Sequence, residues 1–155
     1  MGVPDVAKQL ATPVTVVLSV KRTEVLSMSV RVVRLGSERH PNEGVRIGTV
    51  RRPPRGVPKS EFSSQNWYDV WFPNLAPSVE TMKLGQDATT PAQWAAFAKK
   101  YRAEMSLPEA SHALSLLAAL SHSTNFSVGC YCQEEAHCHR SILRALLAEK
   151  GATLA

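Results

Sequence analysis

Residues 126–144 read FSVGCYCQEEAHCHRSILR, and the fold turns on how that run divides. Phe126 and Val128 make an apolar, β-favouring start that passes through Gly129. A polar stretch follows, and the run closes on SILRALLAEKG, whose spacing predicts a helix over 141–150 ended by Gly151. Strand, polar loop and helix in that order form the unit that sets side chains and free helix N–H groups around a ligand. All three cysteines (Cys130, Cys132, Cys138) and two of the five histidines (His137, His139) fall inside it.

Upstream of that unit the chain reads mostly as helices. Pro108 opens one that runs to about Ser121, with Ala110, Leu114, Leu117, Ala118 and Leu120 apolar. Thr90 followed by Pro91 is a second start, because proline suits the first turn. From there PAQWAAFAKKYRAEM places Trp94, Phe97, Ala98, Tyr101 and Met105 at helical spacing. FPNLAPS at 72–78 is a loop. Before it, Ser60 is placed to cap a short helix through Trp71, with Phe62, Trp67, Val70 and Trp71 as its apolar side.

The first third reads as strands. VRIGTV (45–50) runs into RRPPRGVP, where prolines forbid regular structure. GSERHPNEG (36–44) is a polar loop with a Pro-Asn turn. EVLSMSVRVVRL (24–35) and VTVVLSV (14–20) are two further strands, with a hairpin near 21–23. Residues 1–13 form a loose N-terminal extension. No internal repeat or low-complexity segment is present.

About 75 residues separate the strand at 45–50 from the one at 125–130, enough for a helical crossover that makes the two parallel. The expected fold is therefore α/β: a single three-layer domain over 14–155, with a mostly parallel central sheet flanked by helices and N-terminal strands extending it. In such sheets the loops after the strand C-termini share one edge, and ligands bind there. The arginine loop 51–57 and the cysteine loop 130–140 are expected to face one crevice.

The whole chain narrows the class. Its 155 residues suit one domain, and 44% apolar composition is near the globular norm, which argues against general disorder. No apolar run approaches the ~20 residues that span a bilayer. The N-terminus has Asp5 early and no basic start before an apolar core, so it is a poor signal peptide. An odd cysteine count, with Cys130 and Cys132 one residue apart, does not make a secreted disulfide framework. A soluble cytoplasmic protein without a membrane partner is expected.

The net charge of +5 is unevenly placed. Arg46, Arg51, Arg52 and Arg55 gather in one stretch, and Lys99, Lys100 and Arg102 in another. The lysine group reads as solvated surface. An arginine excess fits a phosphorylated or carboxylated small ligand, or a nucleic-acid backbone.

Three chemistries compete for the cysteine loop. Cys130 and Cys132, at i and i+2 on a strand, point to one face, and Cys138, His137 or His139 would complete a zinc set. Structural zinc sites, however, pair knuckles from two separated places, and these ligands are all local; no metal and no cofactor are expected. His137-Cys138 with Arg144 satisfies the His-Cys-x5-Arg spacing of cysteine phosphatases. The intervening HRSIL has no glycine to wrap a phosphate, so that reading is weak. A cysteine at a helix N-terminus near Arg140 is still placed to be reactive. An anion site asks least: Arg140 and Ser141 begin a helix whose N-terminus favours negative charge, Arg51 and Arg55 face it, and Tyr101 or Trp67 stacks on a flat ligand. The structural alternatives are a buried Cys130, an Arg140 paired with Glu134 or Glu135, and core roles for Trp67, Trp71 and Trp94.

Taken together, VRRPPRG (50–56), Trp67 with NLAPS (74–78), WAAFAKKYRAEM (94–105) and VGCYCQEEAHCHRSIL (128–143) resemble the domain of unknown function 488 family, the YeaO-like group included. The resemblance covers about 30–152, and Cys130 with Cys138-His139-Arg140 is its most telling part. It implies a single-domain α/β protein, and no particular reaction. The family's polar positions carry over to Arg51, Arg55, Tyr101, Glu104, Cys130, His139 and Arg140. Thr49 and Val50 stand where the family usually has an acidic residue, Pro53 where it often has an aromatic, and Cys132 where it commonly has Glu. Losing two carboxylates weakens an acid–base reading and leaves anion binding intact.

The expected function is thus a crevice that binds a small anionic, phosphorylated or nucleotide-like ligand. Cys130 and Cys138 are its candidate catalytic groups; Arg51, Arg55, Tyr101, Glu104, His139 and Arg140 are its candidate binding groups. A basic nucleic-acid-associated module is the alternative, though the aromatics are spaced for core packing rather than interleaved with lysines.

Overall fold

Every residue of strand β4, Phe126–Cys130, is buried, as expected of a parallel strand covered on both faces. The computed structural model describes residues 27–155. Within them β1 (Val30–Arg34), β2 (Val45–Gly48), the two-residue β3 (Val70–Trp71) and β4 form one sheet in the order β1-β4-β2-β3. All pairings are parallel: Val32 and Ile47 both register with Val128, one from each side. The C-terminal residues cover the free edge of β1, where Val30 bridges Leu154.

Among the described residues there are four α-helices, two of them started by a side-chain cap. Thr90 and Gln93 make a reciprocal capping box at the start of α2 (Pro91–Met105), satisfying backbone N–H groups that a helix start leaves open. Phe97, Tyr101 and Met105, four residues apart, are its buried stripe. Ala110, Leu114, Leu117 and Ala118 serve α3 (Pro108–Leu120) in the same way, and Ile142, Leu143 and Leu147 serve α4 (His139–Glu149). These stripes meet Val30, Phe126 and Val128 of the sheet in the main core, at about 1.5–3 kcal/mol for each large side chain removed from water. The opposite sheet face carries Arg46 and Gly48, and the coil of 36–44 and 58–69 lies on it.

The remaining helix, α1 (Val79–Asp87), had no counterpart in the sequence reading. Its signals are Ser78, whose hydroxyl accepts from the Thr81 N–H, and Glu80 in the first turn. Gly85 obscures it, yet belongs there: a Cβ at Gly85 would stand 2.9 Å from the Phe97 ring, so α1 and α2 approach only because it is glycine.

The helix expected from Ser60 to Trp71 does not form. A short 3-10 turn, Lys59–Glu61, gives way to turns; Asn66 has a φ of 63°; and Val70–Trp71 pair with β2 instead. Asp69 is the physical cause. Its carboxylate accepts from the Arg46 N–H at 2.8 Å and from both terminal nitrogens of Arg39 at 2.8 Å, drawing the chain alongside β2. Val70 and Trp71 are consequently exposed, not a core stripe. The expected strand at 14–20, the hairpin near 21–23 and the extension 1–13 lie outside the described residues. Of the strand expected over 24–35, residues 30–34 are observed as β1, 27–29 carry no strand, and 24–26 lie outside the described residues.

Candidate functional site

Parallel order brings the C-terminal ends of β1, β2 and β4 to one edge of the sheet. The chain leaving each strand there walls an open cleft of about 1130 Å³. Arg34 comes from β1, Arg51, Arg52 and Arg55 from the loop after β2, and Tyr131 and Cys132 from the loop after β4. Met82 and Gly85 of α1 and Trp94 of α2 close the other side, with Cys138 and His139 from the start of α4.

The cleft is electropositive by composition. It is lined by four arginines and two histidines, and by no Asp or Glu. Arg51 is pinned in place, its Nε donating to the Pro77 carbonyl at 3.2 Å and its Nη2 to the Ala76 carbonyl at 3.1 Å. Among the described residues Arg34, Arg52 and Arg55 have no acidic partner. Trp67 and Tyr131 meet edge to face at 5.8 Å on one wall, and the Tyr131 hydroxyl donates to the Arg52 carbonyl at 2.9 Å, tying the two loops together.

The three thiols sit at the junction of the three elements. Cys130 ends β4, Cys132 lies in the exposed loop, and Cys138 is the N-cap residue of α4. Their sulfurs all lie within 4.8 Å of one another, and no disulfide links them. Hydrogen bonding to its two neighbours, with burial, pushes the Cys130 thiol up, so it keeps its proton and shares it. A hydrogen bond from Cys130 draws Cys132 well below the usual thiol range, helped by Cys138 and the Arg140 charge against partial burial.

His139 is held behind this cluster. Its Nε2 donates to the Thr49 carbonyl at 2.8 Å, because a carbonyl can only accept, and its Nδ1 is left facing the Cys138 sulfur at 3.9 Å.

Of the residues expected at the site, Arg51, Arg55, Cys130, Cys138 and His139 do line one cleft. Arg140, Tyr101 and Glu104 are not on its wall. Arg140 is buried, with Nη2 donating to the Cys132 carbonyl at 2.6 Å and Nε without a partner, while Arg144, not Arg140, takes Glu135. Tyr101 is wholly enclosed, donating to the Leu75 carbonyl at 2.6 Å. Glu104 accepts from the Ser78 N–H and from the Ser78 and Thr81 hydroxyls at the start of α1. Arg46, grouped with the loop arginines by sequence, is buried on the far sheet face against Glu43. Arg34 was overlooked, although the sheet-edge argument applied to Arg51 places it as well, since it ends a neighbouring parallel strand.

A family model described as the active subclade of the DUF488-N3 group matches residues 30–151. The chain belongs to the DUF488 family. That match begins at the first residue of β1 and runs past the end of α4, so it takes in the sheet, the helices and every wall of the cleft. No curated protein matches the chain, and no solved structure does.

Proposed function

We propose that this DUF488 domain binds a small anionic ligand, phosphorylated or nucleotide-like, in the cleft at the C-terminal edge of its sheet. The observation that carries the reading is the lining itself: four arginines with no carboxylate among them. Arginine donates to two oxygens of an oxyanion at once, at about 1.5–3 kcal/mol per charged hydrogen bond. Arg52 and Arg55, exposed and free of acidic partners among the described residues, supply the phosphate contacts. Trp67 and Tyr131 offer aromatic surface against which a base can pack. Whatever chemistry follows binding falls to the floor of the cleft, where Cys130 and Cys138 lie; the description of the matched subclade as active fits a reacting site. The free thiols suit the reducing cytoplasm.

Calorimetric titration with inorganic pyrophosphate, AMP and ADP tests this. Saturable binding is expected, with a rise in melting temperature that grows with ligand concentration. The double variant Arg52→Ala/Arg55→Ala should lose affinity by at least about tenfold while melting like the parent. Equal affinity in parent and double variant would overturn the reading. So would binding seen only with long nucleic acid and falling steeply with salt, which is the signature of phosphate-backbone contact.

A further inference from the structure

The three thiols need an explanation that the anion reading does not give. They come from a strand end, a loop and a helix N-cap, yet their sulfurs converge within 4.8 Å. Among the described residues no other three Cys, His, Asp or Glu groups converge in this way. The loop that closes them together is itself tied down: Arg140 donates to the Cys132 carbonyl, the Cys138 N–H donates to the Glu135 carbonyl at 3.0 Å, and Arg144 holds the Glu135 carboxylate. Such fixation is what a preformed ligand set requires.

The spacing fits a cation. Thiolates bound at about 2.3 Å to a tetrahedral zinc are about 3.8 Å apart. The Cys130 and Cys132 sulfurs are 3.8 Å apart, and no pair exceeds 4.8 Å, so shifts of about 1 Å or less complete the set. His139 lends orientation beside Cys138 through its bond to Thr49. Local sequence spacing argues only against a closed four-ligand knuckle; an open set of three ligands is a different arrangement, the one that leaves a coordination position free.

We infer that Cys130, Cys132 and Cys138 hold one thiophilic divalent cation of the zinc class, its fourth position facing the arginine-lined cleft. Binding releases the thiol protons to solvent as three sulfur–metal bonds form, leaving a complex of net charge −1. Arg140, beside Cys132, and the start of α4 offset that charge. The assignment does not rest on anion binding by the cleft.

The test uses the full chain, reduced, stripped by chelator and titrated with cobalt(II) alone. One equivalent should produce the thiolate-to-cobalt charge-transfer absorption and tetrahedral visible bands, and zinc should bleach both. Elemental analysis after chelator-free purification should find about one zinc per chain. Cys132→Ser is the first variant, because Cys132 is exposed and its loss leaves the core intact. Cobalt affinity should drop more than about 100-fold, beyond the effect of losing an outer-shell partner, with the circular dichroism spectrum unchanged. Cys138→Ser, at a buried position, should lose cobalt affinity to a similar degree. Absence of the charge-transfer band in the reduced parent, or its survival at full stoichiometry in Cys132→Ser, would overturn the assignment. Pyrophosphate binding by the stripped protein is read separately, so failure of one reading does not mask the other.

Discussion

The imidazole Nε2 of His139 donates to the carbonyl oxygen of Thr49 across 2.8 Å, joining the end of β2 to the first turn of α4. Both groups are buried, and the Tyr101 ring packs edge-on against the imidazole at 5.5 Å. This contact fixes where the helix begins relative to the sheet edge, and so where Cys138 stands. Removing the ring leaves the carbonyl without that donor and opens a cavity. His139→Ala should therefore lower stability by about 2–4 kcal/mol, measured by urea denaturation. A loss under about 0.5 kcal/mol would show that the bond positions nothing.

Arg46 and Arg52 test the distinction between a buried arginine and a cleft arginine. Arg46 is fully buried; it donates to both Glu43 oxygens at 2.9 Å and to the carbonyls of Ser37 and Asn66 at 2.8 Å. Arg46→Met strands Glu43 without its counter-charge and frees those carbonyls, so a cost of about 3–5 kcal/mol is expected. Arg52→Ala, at an exposed position, should stay within about 0.5 kcal/mol of the parent. Equal melting temperatures for the two variants would contradict the assignment of Arg46 to the fold.

The contrast also marks what was legible in the sequence. Helices with strong caps and a clean apolar stripe, such as Thr90 with Phe97 and Tyr101, are local features, and their reading agreed with the structure. The parallel pairing of β2 with β4 followed from the helical crossover between them, and it carried the shared crevice with it. Local signals existed for α1 in the Ser78 cap and Glu80, but other features that escaped depend on distant partners. Asp69 converts an apolar, helix-like run into β3 through Arg39 and the Arg46 N–H, which lie more than twenty residues away in sequence. Arg46 and Arg51, five residues apart, part company because one side chain lies on a buried sheet face and the other follows the strand end. No local pattern separates them.

Glu104 carries the last prediction, because the family resemblance places it among ligand-binding groups and the structure places it beneath α1. Its carboxylate accepts from the Ser78 N–H at 3.0 Å, the Ser78 hydroxyl at 2.5 Å and the Thr81 hydroxyl at 2.6 Å. Partial burial opposes its ionisation. The bonds from Ser78 and Thr81, with the nearby Arg51 charge, outweigh that and hold the carboxyl below its usual range. A depressed folded-state pKa contributes stability above the unfolded carboxylate pKa, and that contribution is lost as the pH falls through the folded value. Glu104→Gln keeps the shape, removes the charge and turns one acceptor into a donor facing hydroxyls already engaged. At neutral pH it should be less stable by about 1–3 kcal/mol, and the gap from the parent should narrow as both are acidified below the usual carboxylate range. Pyrophosphate affinity should move by less than about twofold, since the group does not line the cleft. A variant that melts like the parent at every pH but loses the ligand would return Glu104 to the binding site.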